Sequence, residues 1–181
     1  MPSHTLATTV NHVAVDIDAP ADAVWKAIVG DYAGAEKFRA LGYIIEPLDE
    51  LGAPLGAYRM RLETEEDPDA RLIRITEQDN TARRLSLSAH YDDDADGVME
   101  VLATYHARET PSGTRYALDC HSRLEIGAVE RDARQHVAAT IARLTAEFDE
   151  YLTEYLGDVK KQIEGAARAS WEQLGGAGRS R

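Results

Sequence analysis

The sequence predicts an α+β domain: a seven-stranded antiparallel sheet curled around one long C-terminal helix, with two short helices after the first strand. Three observations carry this. The stretch VAVDIDAPADAVWKAI (13–28) opens with alternating apolar residues and turns, at Ala19-Pro20, into helical spacing. Six segments between 42 and 125, separated by short turn sequences, then read as strands. From Glu130 onward the apolar residues recur at helical steps again.

Val13, Val15 and Ile17 alternate with Ala14 and Asp16, the period of a strand. Pro20 cannot donate to a ladder but suits a first helical turn, and Asp18 is the expected cap. Ala23, Val24, Ala27 and Ile28 form one helical stripe with Trp25 at its edge. A second short helix is expected over 32–41. Turn signals follow at DELGAPLG (49–56), EEDPD (65–69), QDN (78–80), DDDADG (92–97) and TPSG (110–113). They bound strands at about 42–48, 57–64, 70–77, 82–91, 97–109 and 114–125, whose short connections make successive hairpins. Val137, Ile141, Leu144, Phe148 and Leu152 then mark an amphipathic helix over about 130–156, expected to end near Gly157. A further helical segment, 158–174, carries Val159, Ile163, Ala166, Ala167 and Trp171, and the closing GGAGRSR reads as a disordered tail. One domain over 8–156 and a helical extension over 157–181 is the expected organisation.

Composition narrows the function. The 181 residues carry a formal charge of −12, which repels phosphate backbones and acidic membrane surfaces, so no nucleic-acid partner is expected. The single cysteine, Cys120, rules out an internal disulfide and a thiolate-rich metal site. No apolar run approaches the ~20 residues of a membrane span, and the N-terminal MPSHTLATTV lacks the pattern of a signal peptide. A cytoplasmic protein without a cofactor is the expectation.

Side-chain parity separates the faces of the sheet. One face collects Tyr58, Met60 and Leu62; Leu85, Leu87, Ala89 and Tyr91; Met99, Val101, Ala103, Tyr105 and Ala107; Tyr116, Leu118, Cys120, Ser122 and Leu124. The opposite parity collects Arg59, Arg61, Arg84, His90, Glu100, His106, Arg115, Asp119, His121 and Arg123. A sheet with its apolar face turned to a helix can enclose a cavity that suits a hydrophobic small molecule, oriented by a few hydroxyls. The expected ligand-binding residues are Tyr58, Met60, Leu87, Met99, Tyr105, Tyr116, Leu118 and Cys120. The same residues also suit a filled core, and parity does not separate the two.

The residues Ala19, Pro20, Val24 and Trp25, together with this order of elements, resemble the START/polyketide-cyclase (SRPBCC) superfamily, also called the birch-pollen-allergen fold. The resemblance spans about residues 8–156 and implies a helix-grip fold, with lipids, sterols, hormones or polyketides held between sheet and long helix. Some members of that superfamily cyclise or dehydrate polyketides. Fold alone does not select among these activities. The Cys/His pattern of a Rieske cluster is absent from the sequence.

Other candidates have plainer readings. Asp92, Asp94, Asp96 and Gly97 imitate the start of a calcium loop, but Ala103 stands where a bidentate Glu is needed, so an acidic hairpin turn is expected. His90, His106 and His121 share the polar parity, and solvated histidines rather than a zinc site are expected there. Asp31 and Glu36 lie beside the short helices, where a cavity in such a fold opens. Cys120 is expected to be inert packing, and Ser122 has no triad partners in view. Binding of a hydrophobic ligand is the leading expectation. The first alternative is a cyclase or dehydratase, with Tyr105 polarising a carbonyl and His136 moving a proton. The second is an interaction module using the C-terminal stripe, which would also serve a homodimer.

Overall fold

A computed structural model describes residues 5–49, 52–62, 69–91, 98–126 and 133–176. The strand that opens the chain, β1 (Thr5–Ile17), is followed by α1 (Ala21–Ile28), a π-helical turn (Val29–Ala33) and α2 (Glu36–Ala40). Then come β2 (Ile44–Leu48), β3 (Ala57–Leu62), β4 (Asp69–Asp79), β5 (Arg84–Tyr91), β6 (Val98–Thr110), β7 (Gly113–Ile126) and α3 (Ala133–Gly176). The sheet has the order β1-β7-β6-β5-β4-β3-β2. Every neighbouring pair is antiparallel, and β1 closes on β7 in unbroken register from Thr5↔Ile126 to Ile17↔Thr114. This is the helix-grip α+β architecture that the sequence predicts.

The corner between β1 and α1 is a packed joint. Thr114 Oγ1 donates to Ala19 O at 2.7 Å, and Gly113 passes so close that an added Cβ would lie 2.2 Å from Ile17 O. Gly113 also has φ +140°, a conformation open to glycine. Trp25 is buried, and its Nε1 donates to Asn80 Oδ1 at 3.2 Å, tying α1 to the β4–β5 turn. The expected cap differs. Pro20 sits just before α1 and its carbonyl accepts from Ala23 N and Val24 N, whereas the Asp18 backbone N–H donates to Glu164 Oε1 of α3. A side chain two residues before the N-cap position is too far out to cap the helix.

Two helix boundaries also differ from the expectation. The segment expected as one helix over 32–41 is split between the π-turn and α2, with buried Ala35 at φ 54° between them. The helix expected to stop near Gly157 runs straight through it. Gly costs a helix interior about 1 kcal/mol, but burial of Leu156 and Val159 on either side outweighs that. The added turns dock Val159 and Ile163 against the chain's own core. The side chain of Trp171, the acidic turn 92–97 and the tail 177–181 lie outside the described residues.

Helix α3 runs beside β1 and is fixed to it and to the corner that follows it between Thr145 and Glu164. Buried Asn11 donates to Thr145 O at 2.9 Å and to Asp149 Oδ1 at 2.8 Å. Further along, Lys160 Nζ donates to Asp16 O at 2.7 Å. The parity split holds in β3, β5, β6 and β7: Tyr58, Met60, Leu85, Leu87, Ala89, Ala103, Tyr105, Tyr116, Leu118 and Cys120 are all buried in one cluster. The other face is charged, and there Asp119 lies between His12 (2.5 Å) and His106 (3.2 Å).

Candidate functional site: a tyrosine floor with a lysine at its edge

Packing is uneven along the inner face. Near α1 it is tight: Val24, Ile28, Met60, Leu85, Tyr116 and Leu156 are each at most 1% exposed. Toward the start of α3 it loosens. Val137, Ile141, Leu144, Phe148 and Leu152, the whole apolar stripe of the first half of α3, are only half-buried, as are Tyr91 and Val101 on the inner face of the sheet. Half-exposed apolar side chains on a helix offer surface that a hydrophobic ligand can cover.

Tyrosines gather within the buried part of the inner face. Tyr32, from the π-turn, stacks on Tyr105 of β6 with ring centroids 4.1 Å apart. Its hydroxyl hydrogen-bonds the Tyr155 hydroxyl of α3. Tyr105 and Tyr116 lie 6.4 Å apart, centroid to centroid. Tyr58 O–H donates to Tyr32 O at 2.7 Å, so that hydroxyl is already engaged with the backbone. Burial pushes the Tyr32, Tyr105 and Tyr116 phenols well above their usual range, and hydrogen bonding to Tyr32 offsets part of the rise for Tyr105 and Tyr116. Burial pushes Tyr155 up to about 12. All four therefore remain neutral hydroxyls at physiological pH, able to donate to a ligand carbonyl or accept from a ligand hydroxyl.

A cation stands at the edge of the floor. Lys37, on α2, is half-buried with Nζ 3.8 Å from the centre of the Tyr155 ring, 5.7 Å from Tyr32 and 6.0 Å from Phe38. Desolvation lowers its pKa to about 8; the nearby Arg71 charge acts in the same direction and Asp31 opposes both. Asp31, half-buried on the π-turn, has its pKa raised from the ordinary value by its own desolvation. Arg71 enters from β4, on the same parity as buried Ile73 and Ile75, with its guanidinium 4.7 Å from the Tyr91 ring centre.

Of the residues expected from sequence, Tyr58, Met60, Leu87, Tyr105, Tyr116, Leu118 and Cys120 lie buried on this face. Burial raises the Cys120 thiol pKa. The Met99 side chain lies outside those described, and His136 is solvent-exposed near the start of α3. Sequence reasoning missed Tyr32, Tyr155, Lys37 and Arg71. Tyr155 continues the apolar spacing from Leu152, so its signal was present; Tyr32 and Lys37 lie on segments too short to show a period. A separate open groove of ≈ 820 Å³ lies where Pro20, Pro111, Glu164 and Arg168 meet. No group of His, Cys, Asp or Glu among the described residues is arranged to hold a metal ion, and no described helix is long and apolar enough to cross a membrane.

A curled antiparallel sheet gripping a terminal helix, with an apolar inner face graded from tight to open, defines the helix-grip class, and the chain has the fold of the START/polyketide-cyclase superfamily. The fold is shared with Ara h 8.0201, at 15% identity and a TM-score of 0.59 over 91% of this chain and 99% of that one. It is shared with the Zhui aromatase/cyclase from Streptomyces sp. R1128, at 17% identity and a TM-score of 0.54 over 92% and 98%. Norcoclaurine synthase from Thalictrum flavum, solved with dopamine and hydroxybenzaldehyde, is similar at 17% identity and a TM-score of 0.50 over 78% and 88%. No protein-family model and no curated protein matches the sequence.

Proposed function

We propose that the protein binds a hydrophobic small molecule, aromatic and bearing a carbonyl or hydroxyl, between the inner face of the sheet and the first half of α3. One observation carries this reading. The phenols of Tyr32, Tyr105, Tyr116 and Tyr155 gather on an otherwise apolar floor, and the apolar stripe of the first half of α3 is left half-buried. Flat rings offer stacking surface, and neutral hydroxyls offer orientation without the cost of burying a charge. Leu87, Leu118 and Cys120 supply the apolar wall in this reading.

Calorimetric titration with 2-naphthol, which combines a fused aromatic body with one hydroxyl, tests the proposal. Saturable binding is expected, weakened about 3- to 10-fold by Tyr105→Phe or Tyr116→Phe, the worth of one hydrogen bond. The ligand should be recovered unchanged. Absence of saturable binding would remove the reading.

A cyclase- or dehydratase-type activity is the second reading. What favours it is the presence of Lys37 and Asp31, each feeling the other's charge, beside the tyrosine cluster, since acid–base chemistry needs a titrating group there. His136, exposed near the start of α3, is less suited to that role.

A further inference from the structure

We propose that Lys37 is a covalent carbonyl-capture residue: its amine condenses with an aldehyde or ketone on the bound ligand to form a reversible imine. The proposal rests on the ligand-binding reading above and names the ligand's reactive group.

The geometry sets Lys37 apart. The chain has four lysines: Lys26, Lys37, Lys160 and Lys161. Lys160 spends its ammonium on Asp16 O and Glu164, and Lys161 on Asp158. Lys37 instead faces three aromatic rings, Tyr155, Tyr32 and Phe38, at 3.8 to 6.0 Å. A flat aromatic aldehyde lying on the tyrosine floor would bring its carbonyl carbon up against this amine.

The charges facing Lys37 come from several elements. Arg71 on β4 favours the neutral amine, Asp31 on the π-turn favours the ammonium, and Glu36 on α2 interacts with Asp31. The Tyr155 ring also favours the ammonium. Desolvation is the largest influence and leaves the pKa at about 8. At pH 7 that gives Lys37 a larger share of neutral amine than an unperturbed lysine has.

The chemistry balances without a further reagent. The amine lone pair of Lys37 attacks the carbonyl carbon, a C–N bond forms, and the nitrogen proton passes to the Asp31 carboxylate. Asp31 returns this proton to the alkoxide oxygen, giving the carbinolamine, and then relays the second nitrogen proton to the same oxygen, so that the C–O bond breaks and water leaves as the C=N bond forms. A tyrosine hydroxyl donating to the carbonyl oxygen stabilises the charge that builds there. Asp31, with its pKa raised by desolvation, suits a group that must both take and return a proton.

The test is reductive trapping. The full-length protein is incubated with 2-naphthaldehyde and sodium cyanoborohydride at pH 7, and peptide mapping locates the naphthylmethyl group. Labelling of Lys37 on the order of 10-fold or more faster than any other lysine is expected. Its rate should level off above pH 8, while the rates of the other lysines keep rising. Lys37→Arg should lose the adduct and Lys161→Arg should keep it, with 2-naphthol binding measured on each to show that the site is intact. Labelling spread evenly over the lysines and the N-terminus would overturn the proposal. So would binding of 2-naphthol without any adduct, which leaves the ligand-binding reading standing. If neither compound binds, both fall.

Discussion

The hydroxyl of Tyr32, on a π-helical turn, hydrogen-bonds the hydroxyl of Tyr155, on the terminal helix, across a sequence separation of 123 residues. This contact joins the N-terminal helices to α3 at the floor of the candidate site. Removing one partner leaves the other without it in a buried setting, whereas removing both leaves two apolar rings. Tyr32→Phe and Tyr155→Phe are each expected to cost about 1–2 kcal/mol, and the double variant less than their sum. Urea unfolding of the four proteins measures the coupling; strict additivity would show that the hydroxyls do not interact.

The graded packing predicts unequal costs along one helix face. Leu156 is 1% exposed, and Leu156→Ala should destabilise by about 2–5 kcal/mol. Phe148 is only half-buried, so Phe148→Ala should cost clearly less than that range. It should also weaken 2-naphthol binding, which Leu156→Ala should affect only through folding. Equal stability losses would mean that the upper half of α3 is packed as tightly as the lower half.

Two glycines should respond in opposite directions to the same substitution. Gly157 is interior to α3 and an added Cβ there meets nothing within 4 Å, so Gly157→Ala should stabilise by about 0.5–1 kcal/mol. At Gly113 the added Cβ would collide with Ile17 O, and the backbone is in the left-handed region. Gly113→Ala should therefore destabilise by more than Gly157→Ala stabilises. Thermal unfolding of both variants checks the sign.

Much of this fold was legible because its signals are local. Ala19-Pro20 marks a corner, five turn sequences mark the hairpins, and period-2 parity sorts Tyr58, Leu87, Tyr105 and Leu118 onto one face. The site was legible only in part. Tyr105 and Tyr116 follow from strand parity, but Tyr32 points inward from a π-turn, whose wider spacing breaks the helical period. Lys37 reads as an ordinary surface charge until tertiary packing sets it over Tyr155. Gly157 looked like a stop signal because its flanks, Leu156 and Val159, find their partners only in the folded chain.

Lys37 should also leave a mark on stability against pH. Its folded-state pKa, about 8, lies below the usual 10.5, so between those values the unfolded chain binds more protons. The Lys37 contribution to stability therefore rises with pH from about 8 to about 10.5. Buried tyrosines and Cys120 act oppositely in that range, because their raised pKa values make the folded chain hold the extra proton. Comparison with Lys37→Met isolates the lysine. The wild-type stability should gain on the variant's as pH rises through this window, whereas a constant difference would show that the amine is not desolvated.

The central claim is that a ligand enters between the sheet's inner face and the first half of α3. Two-dimensional NMR of isotope-labelled protein titrated with 2-naphthol tests it residue by residue. Saturable shifts should centre on Tyr105, Leu118 and Cys120 inside and on Leu144, Phe148 and Leu152 of α3. Outer-face positions such as His90, Arg115 and Arg123 should stay still. Shifts confined to those outer positions, or no shifts at all, would contradict the account.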